Sequence, residues 1–357
     1  MNNPCRLPAL LLVSTLLGGS LCARADEAQT NSPPAPSGPA PSSPVGQAPA
    51  APSAPAPAAQ IFAEPTVLTP RGTLVIEPDA QYVHSTNNQV ALLGYTVLPA
   101  ITIGLIDIQR IESNLSTFSL TARYGLLSRL ELQVRVPYVV ENTTTETRPL
   151  ATAATANTFF DSSGSGLGDA ELALRAQLNQ FRGNNVVWIG SLLFKSRTGT
   201  DVFQEPIDPN TGLQSRLATG SGFYAVQPGL TFLLPSDPAV FFGGANYTYS
   251  FGRNVGHGYG YIHPGGILDL TLGMGLSLNQ KASFSIGYEH SVVEQTTQAA
   301  TATGRALARR GTLQLGTLRF GVTYQVNPRT LLNITIGIGV TRDTPDLEAT
   351  MRLPLTL

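Results

Sequence analysis

Residues able to do chemistry are few and badly placed for it. The four histidines are His84, His257, His263 and His290. Two of them, His257 and His263, share a Gly- and Tyr-rich stretch from Gly252 to Gly266, but their six-residue interval is no standard metal spacing. The run Gly164-Ser165-Gly166-Leu167-Gly168 has the look of a phosphate cradle, yet it precedes a strand pattern instead of opening a helix. Ser165 for the same reason lacks the strand-to-helix turn of a nucleophile elbow. Both cysteines, Cys5 and Cys22, lie in the first 25 residues. No catalytic, cofactor-binding or metal-ligating set emerges, and the expectation is a protein that is not an enzyme and uses no cofactor.

The charged residues are more informative, because they recur at every second position. The elements carrying them must therefore be strands. Arg129-Leu130-Glu131-Leu132-Gln133-Val134-Arg135-Val136-Pro137-Tyr138 places apolar residues on one face and mostly charged ones on the other. The same period recurs from Leu268 to Leu278, through Leu332, Ile334, Ile336, Ile338 and Val340, and from Leu347 to Leu357. Further strands are expected near 73–83, 116–125, 169–178, 185–195, 222–232, 239–249, 281–290 and 317–326, which makes twelve.

Alternation also fits a soluble sandwich, in which one face packs a core and the other meets water. Length separates the two. Segments of about ten residues exceed the globular mode and match a tilted strand crossing a bilayer. Connections alternate as well: Gly125 to Arg129, Asn179 to Asn185, Leu233 to Ala239, Leu278 to Lys281 and Val326 to Thr330 are tight, whereas 140–168, 196–221, 250–267 and 291–316 are long. The predicted fold is all-β, a transmembrane antiparallel up-and-down β-barrel of twelve strands with both ends in the periplasm. The uncharged stretch Gln89 to Ile106 is long enough for a membrane helix, but Pro99, Gly94, Gly104 and its β-branched residues favour strand or loop, and two strands there would give fourteen.

Composition points the same way. The 357 residues carry 22 Lys plus Arg against 23 Asp plus Glu, so no basic excess exists for nucleic acid. At the N-terminus, Arg6, the apolar run Leu7 to Leu21 and the small-x-small Ala23-Arg24-Ala25 read as an export signal over 1–25, removed before Asp26. Both cysteines would leave with it. Residues 26–60 form a Pro/Ala-rich linker; the section Asn31 to Ala59 has ten prolines and no charge, a composition expected to stay disordered. In polyproline II form it would reach roughly 90 Å, enough to touch the cell wall. Residues 61–357 are the barrel.

Arg123-Tyr124-Gly125-Leu126, Val136-Pro137-Tyr138, Gly166-Leu167-Gly168-Asp169, Pro264-Gly265-Gly266 and Gly339 to Asp346, in this order, resemble the outer-membrane family labelled "MetA-pathway of phenol degradation". The resemblance also takes in Lys195 to Gly199 and Gly220 to Gly222 and covers roughly residues 70–357. It implies a transporter for small solutes, often hydrophobic or aromatic. One departure is that outer-membrane barrels commonly end in an aromatic residue read by the assembly machinery, and this chain ends in Leu357.

If the apolar set faces lipid, its opposite lines the lumen. On the strands holding 117–125, 129–137 and 169–177, Arg123, Arg129, Glu131, Arg135, Asp169, Glu171 and Arg175 would make an ionic wall. On those holding 269–277, 281–289, 317–325 and 333–341, fourteen of twenty inward residues are Gly, Ser or Thr. A narrow off-centre path along Gly273, Gly275, Gly287, Gly321, Gly337 and Gly339 is expected. Hairpin arithmetic sets Arg123 opposite Glu131, and Asp269 near Glu289, with Arg319 as their nearest arginine; two unrelieved acids there would make a weak cation-selecting constriction. The reading is a passive outer-membrane channel whose partners are lipid, the assembly machinery and a small solute. A tethering barrel whose tail matters more than its lumen, and a barrel-embedded enzyme, are the alternatives.

Overall fold

The computed structural model describes residues 60–61, 64–65, 68–86, 106–149, 158–179, 186–206, 214, 216–236, 239–256, 258–299 and 311–357. The export signal, the linker through residue 59 and the apolar stretch from Gln89 to Leu105 lie outside the described residues.

Strand β1 (Leu74–Ser85) is followed by β2 (Ile106–Leu127), β3 (Leu130–Pro149), β4 (Thr158–Leu167), β5 (Glu171–Gln177), β6 (Val187–Lys195) and β7 (Ala225–Ser236). Then come β8 (Ala239–Ser250), β9 (Ile267–Ser277), β10 (Ala282–Val293), β11 (Leu313–Asn327), β12 (Thr330–Gly339), β13 (Leu347–Arg352) and β14 (Leu355–Thr356). Consecutive strands pair antiparallel, except that β4 and β5 both pair with β3 and β13 and β14 both with β12, and the sheet closes where β13 and β14 pair with β1. Twelve staves result. Segments β4 and β5 together face the long β3, and β13 and β14 share the last stave.

Closure abolishes the edges that an open sheet would expose. It also explains the sequence pattern, because one set of side chains must face in and the other out. The usual burial is inverted: Glu131 and Asp169 are fully buried, whereas Leu272 is 63% and Leu120 54% exposed. In water such a surface would forfeit the hydrophobic gain of folding. In hydrocarbon it is the matched solvent, and aromatic residues such as Phe118, Tyr138, Phe194 and Tyr249 stand among the outward residues.

Two strands run further than their alternation predicts. The apolar outward positions of β3 end at Tyr138 and Val140, yet the strand continues through Asn142 and Thr144 to Pro149, paired with β2 on one side and β4 on the other. The expected loop 140–168 is therefore mostly a sheet projecting beyond the apolar belt. Thr-rich β-branched sequence sustains it without an apolar face. The last stave is shorter than its alternation suggests. It breaks at Leu353-Pro354, where proline has no N–H for the ladder, and Leu353 N–H instead donates to Pro78 O at 3.0 Å.

At the short-turn end, Ser128-Arg129 and Pro328-Arg329 make two-residue turns. Asn279 accepts the N–H groups of Lys281 and Ala282 at 2.8 and 2.9 Å to form a third turn. At the other end the long loops build structure of their own. Arg253–Asn254, Tyr261–His263 and Thr297–Gln298 form a small sheet. An apolar cluster of Phe203, Phe223, Val255, Tyr259 and Ile262 lies in the same loops.

Candidate functional site

The lumen wall is the candidate site. Its ionic side is built from β1, β2, β3, β5 and β6. Apart from Lys195 with Asp169, which sits in the link between β4 and β5, each pair joins adjacent or next-adjacent strands, since inward side chains close together are neighbours across the ladder. Arg123 meets Glu77 at 2.5 Å, and Arg135 reaches Asp79 at 3.3 Å and Glu171 at 3.7 Å. Arg175 lies 3.6 Å from Glu131, and Lys195 4.0 Å from Asp169. At this depth an unpaired charge would be costly, and the ladder of opposite signs gives each of these acids a basic neighbour.

The expected Arg123–Glu131 pair does not form. The two-residue turn is Ser128-Arg129, with a bulge between Gly125 and Leu127, so Arg123 stands opposite Gln133 and Glu131 opposite Gly125. The turn lies further along the chain than hairpin arithmetic assumed, and each charge finds a partner on its other neighbour. Arg129 sits in that turn, exposed, and is not part of the wall. Sequence reasoning overlooked Glu77, Asp79, Glu348 and Arg352, although Glu77 and Asp79 share one face of a strand, as do Glu348 and Arg352 in the last stave.

The opposite wall holds the small residues. At one height the register runs Phe242, Gly273, Gly287, Arg319, Gly337, Glu348 across β8 to β13. Arg319 thus lies between two glycines, and its guanidinium reaches Glu289 at 3.0 Å and Glu348 at 2.9 Å. A Cβ at Gly273 would collide with the Phe242 ring, one at Gly337 would meet Thr317 Cγ2 at 2.9 Å, and one at Gly339 would strike the Pro345 carbonyl. At these three positions the wall is filled by neighbouring groups and is not bare. Gly275 and Gly321 both stand opposite Ser285 on β10.

Asp269 and Glu289 are not a pair either. The β9–β10 turn sets Asp269 opposite Ser291, whose hydroxyl donates to it at 2.5 Å, and Glu289 opposite Thr271. The two-residue offset sets the acids diagonally, still near enough to feel each other's charge, and Arg319 pairs with Glu289.

Both ends of the lumen carry inserted chain. At the short-turn end the Thr69 N–H donates to Glu131 Oε2 at 2.6 Å, and Leu68 packs against Ile189, Leu233 and Phe242. Gly125 is the contact point, because a Cβ there would collide with the carbonyls of Thr69 and Pro70. At the long-loop end Asp169 accepts Gly199 N–H at 3.1 Å, Ser221 N–H at 2.8 Å and the Ser221 hydroxyl at 2.7 Å. Leu217 N–H donates to Ser163 O, and Ser162 donates to Gln214 O, so this loop lies along β4. Asp201 pairs with Arg253, whose guanidinium also covers the Phe223 ring.

The remaining chemistry-bearing residues are scattered. His84 hydrogen-bonds Asn114 at 2.8 Å, His290 lies 3.1 Å from the Tyr288 hydroxyl, and His263 packs near Tyr249. His257 lies outside the described residues. Ser165 is exposed on β4, which opens no helix.

No protein-family model matches the chain. Among solved structures, an outer-membrane channel from Pseudomonas putida F1 superimposes with a TM-score of 0.52 at 14% identity, covering 81% of this chain and 97% of that one. The fold is that of an outer-membrane β-barrel. Two looser matches are the translocator domain of the autotransporter NalP from Neisseria meningitidis (TM-score 0.42, 11% identity, 80% and 88% covered) and the Pseudomonas putida toluene transporter TodX (0.38, 12%, 81% and 89%). At these identities the likeness is one of architecture.

Proposed function

We propose that the protein is a passive channel of the bacterial outer membrane, carrying small solutes down their gradient without a catalytic step. The observation that carries this reading is the inverted barrel: buried ion pairs line the inside while leucine and isoleucine cover the outside. A polar wall inside an apolar shell is what a path separated from the lipid requires. The shared architecture with an outer-membrane channel supports the reading.

In this proposal the short turns and both termini face the periplasm, residues 1–25 are the export signal, and 26–60 reach toward the cell wall. The lumen-lining set is Arg123, Glu131, Arg135, Asp169, Glu171, Arg175, Asp269, Glu289 and Arg319, with Gly275, Gly287 and Gly321 on the small-residue side. The motif resemblance to the phenol-degradation family makes hydrophobic or aromatic compounds the preferred solutes, and the assembly machinery inserts the barrel. Liposome swelling tests it. Full-length and tail-deleted protein should both admit small solutes, phenol included; impermeable liposomes in both cases would overturn the channel. Gly287→Trp should cut the flux.

A further inference from the structure

Two lumen carboxylates, Asp269 and Glu141, take part in none of the ion pairs described above; Asp269 lies in the field of Arg319, whereas Glu141 has only a hydroxyl beside it. Glu141 stands on β3 just past Val140, where the outward residues have turned from Tyr138 to Asn142 and Thr144, so it lies beyond the apolar belt. It is only 6% exposed. Ser113 donates its hydroxyl to Glu141 Oε1 at 3.3 Å, and Thr143 donates to Ser113 at 3.2 Å. Among the described residues no Lys, Arg or His side chain comes within ion-pair reach of it, whereas Glu77, Asp79, Glu131, Asp169, Glu171, Glu289 and Glu348 each have one.

Its surroundings are neutral on each side. Ser113 and Leu115 face it from β2, with Ser85 of β1 opposite Ser113, and Gly164 stands opposite it on β4. Glu112 and Asp161 belong to the other face of their strands. The loop along β4 brings Arg216, which is exposed and bridges Ser163 through its backbone. A buried carboxylate whose neighbours are hydroxyls, with no fixed countercharge, is poised for a mobile one.

Resting on the channel reading above, we propose that Glu141 is the cation-recognition point of the lumen, holding an alkali ion or a primary ammonium group between its carboxylate and the hydroxyls of Ser113 and Thr143. The pore then favours cations over anions at its long-loop mouth. This places selectivity on one residue of β3, away from the Asp269 and Glu289 region where Arg319 already supplies a countercharge.

Burial pushes the Glu141 carboxyl up to about 7, which gives the test its handle. Below that pH the group is neutral and above it charged, so the preference for potassium over chloride should rise as pH passes through about 7. Reversal potentials of the full-length protein in planar bilayers under a potassium chloride gradient measure it. Glu141→Gln should lower the potassium-to-chloride permeability ratio roughly fivefold at alkaline pH, the effect of one unit charge at contact distance in water, and flatten its pH dependence. Conduction with the same ratio and pH profile in both proteins overturns the site and leaves the channel standing. Infrared titration needs no conduction. A carboxyl band with a near-neutral midpoint, missing in Glu141→Gln and moved to lower pH by potassium or methylammonium, is expected; a midpoint indifferent to both ions overturns the site even if the protein never conducts.

Discussion

The two walls of the lumen solve one problem in opposite ways. Between β1 and β6 charges are spread over many positions, and each acid leans on a base one or two strands away. Between β9 and β13 a single arginine, standing opposite Gly287 and Gly337, serves two acids. Redundancy protects the first wall, because Arg135 has two acidic partners and the removal of one pair leaves others intact. The second wall is concentrated. Small residues there do not signify emptiness; at Gly273, Gly337 and Gly339 neighbouring groups already fill the space.

Breaking the concentrated wall should therefore cost most. Arg319→Leu leaves Glu348, 2% exposed, and Glu289 without countercharge, and a loss of about 3–5 kcal/mol is expected. Urea titration of the folded barrel in detergent micelles, followed by its heat-modifiable gel mobility, would register it, and a midpoint within error of the parent would show that the glycine-flanked arginine is dispensable. Arg135→Leu, the matched change in the distributed wall, should cost less because its acids Asp79 and Glu171 keep other polar neighbours, Ser119 among them. Equal losses would erase the distinction drawn between the walls.

Glycine substitutions sharpen the comparison at intermediate size. Gly337→Val must push Thr317 or Glu348 aside and should destabilise by about 1–3 kcal/mol. Gly125→Ala on the ionic side instead expels backbone, since its Cβ collides with Thr69 and Pro70 carbonyls. Its signature should be faster tryptic cleavage at Arg71, with the barrel still intact; unchanged cleavage would mean the segment yields without leaving. The smallest effect belongs to Asp269→Asn. Asparagine can still accept the Ser291 hydroxyl, so about 1 kcal/mol or less is expected, and a larger loss in the same urea titration would reveal a charge role that the register conceals.

Much of the barrel was legible in the chain, from particular residues. Leu268, Leu270 and Leu272 against Asp269, Thr271 and Gly273 define which side meets lipid, since a strand's side chains can only alternate. Turn residues such as Asn279 marked the short connections. Partners were not legible to the same degree. Arg123 could be placed on the inner face, but whether it met Glu131 or Glu77 depended on a bulge at Gly125 and a turn at Ser128, a shift of two positions that leaves the face unchanged while replacing every neighbour.

The inward chain segments were beyond reach for a related reason. Nothing in the spacing of Leu68, Thr69 and Pro70 announces that they lie against Glu131 and Phe242, because those contacts join residues far apart in sequence. Glu141 was passed over as a loop residue, since its outward neighbours turn polar where the belt stops.

Period-two patterning set which face of its strand each side chain takes, because local geometry allows a strand only two faces; segment and connection lengths added the membrane as the outer solvent and left twelve or fourteen staves. Which charges meet, where neighbouring groups fill the space beside a glycine and which acids are left with only a hydroxyl were decided only when twelve staves closed on one another, since register and closure are properties of pairs of strands and not of any one of them.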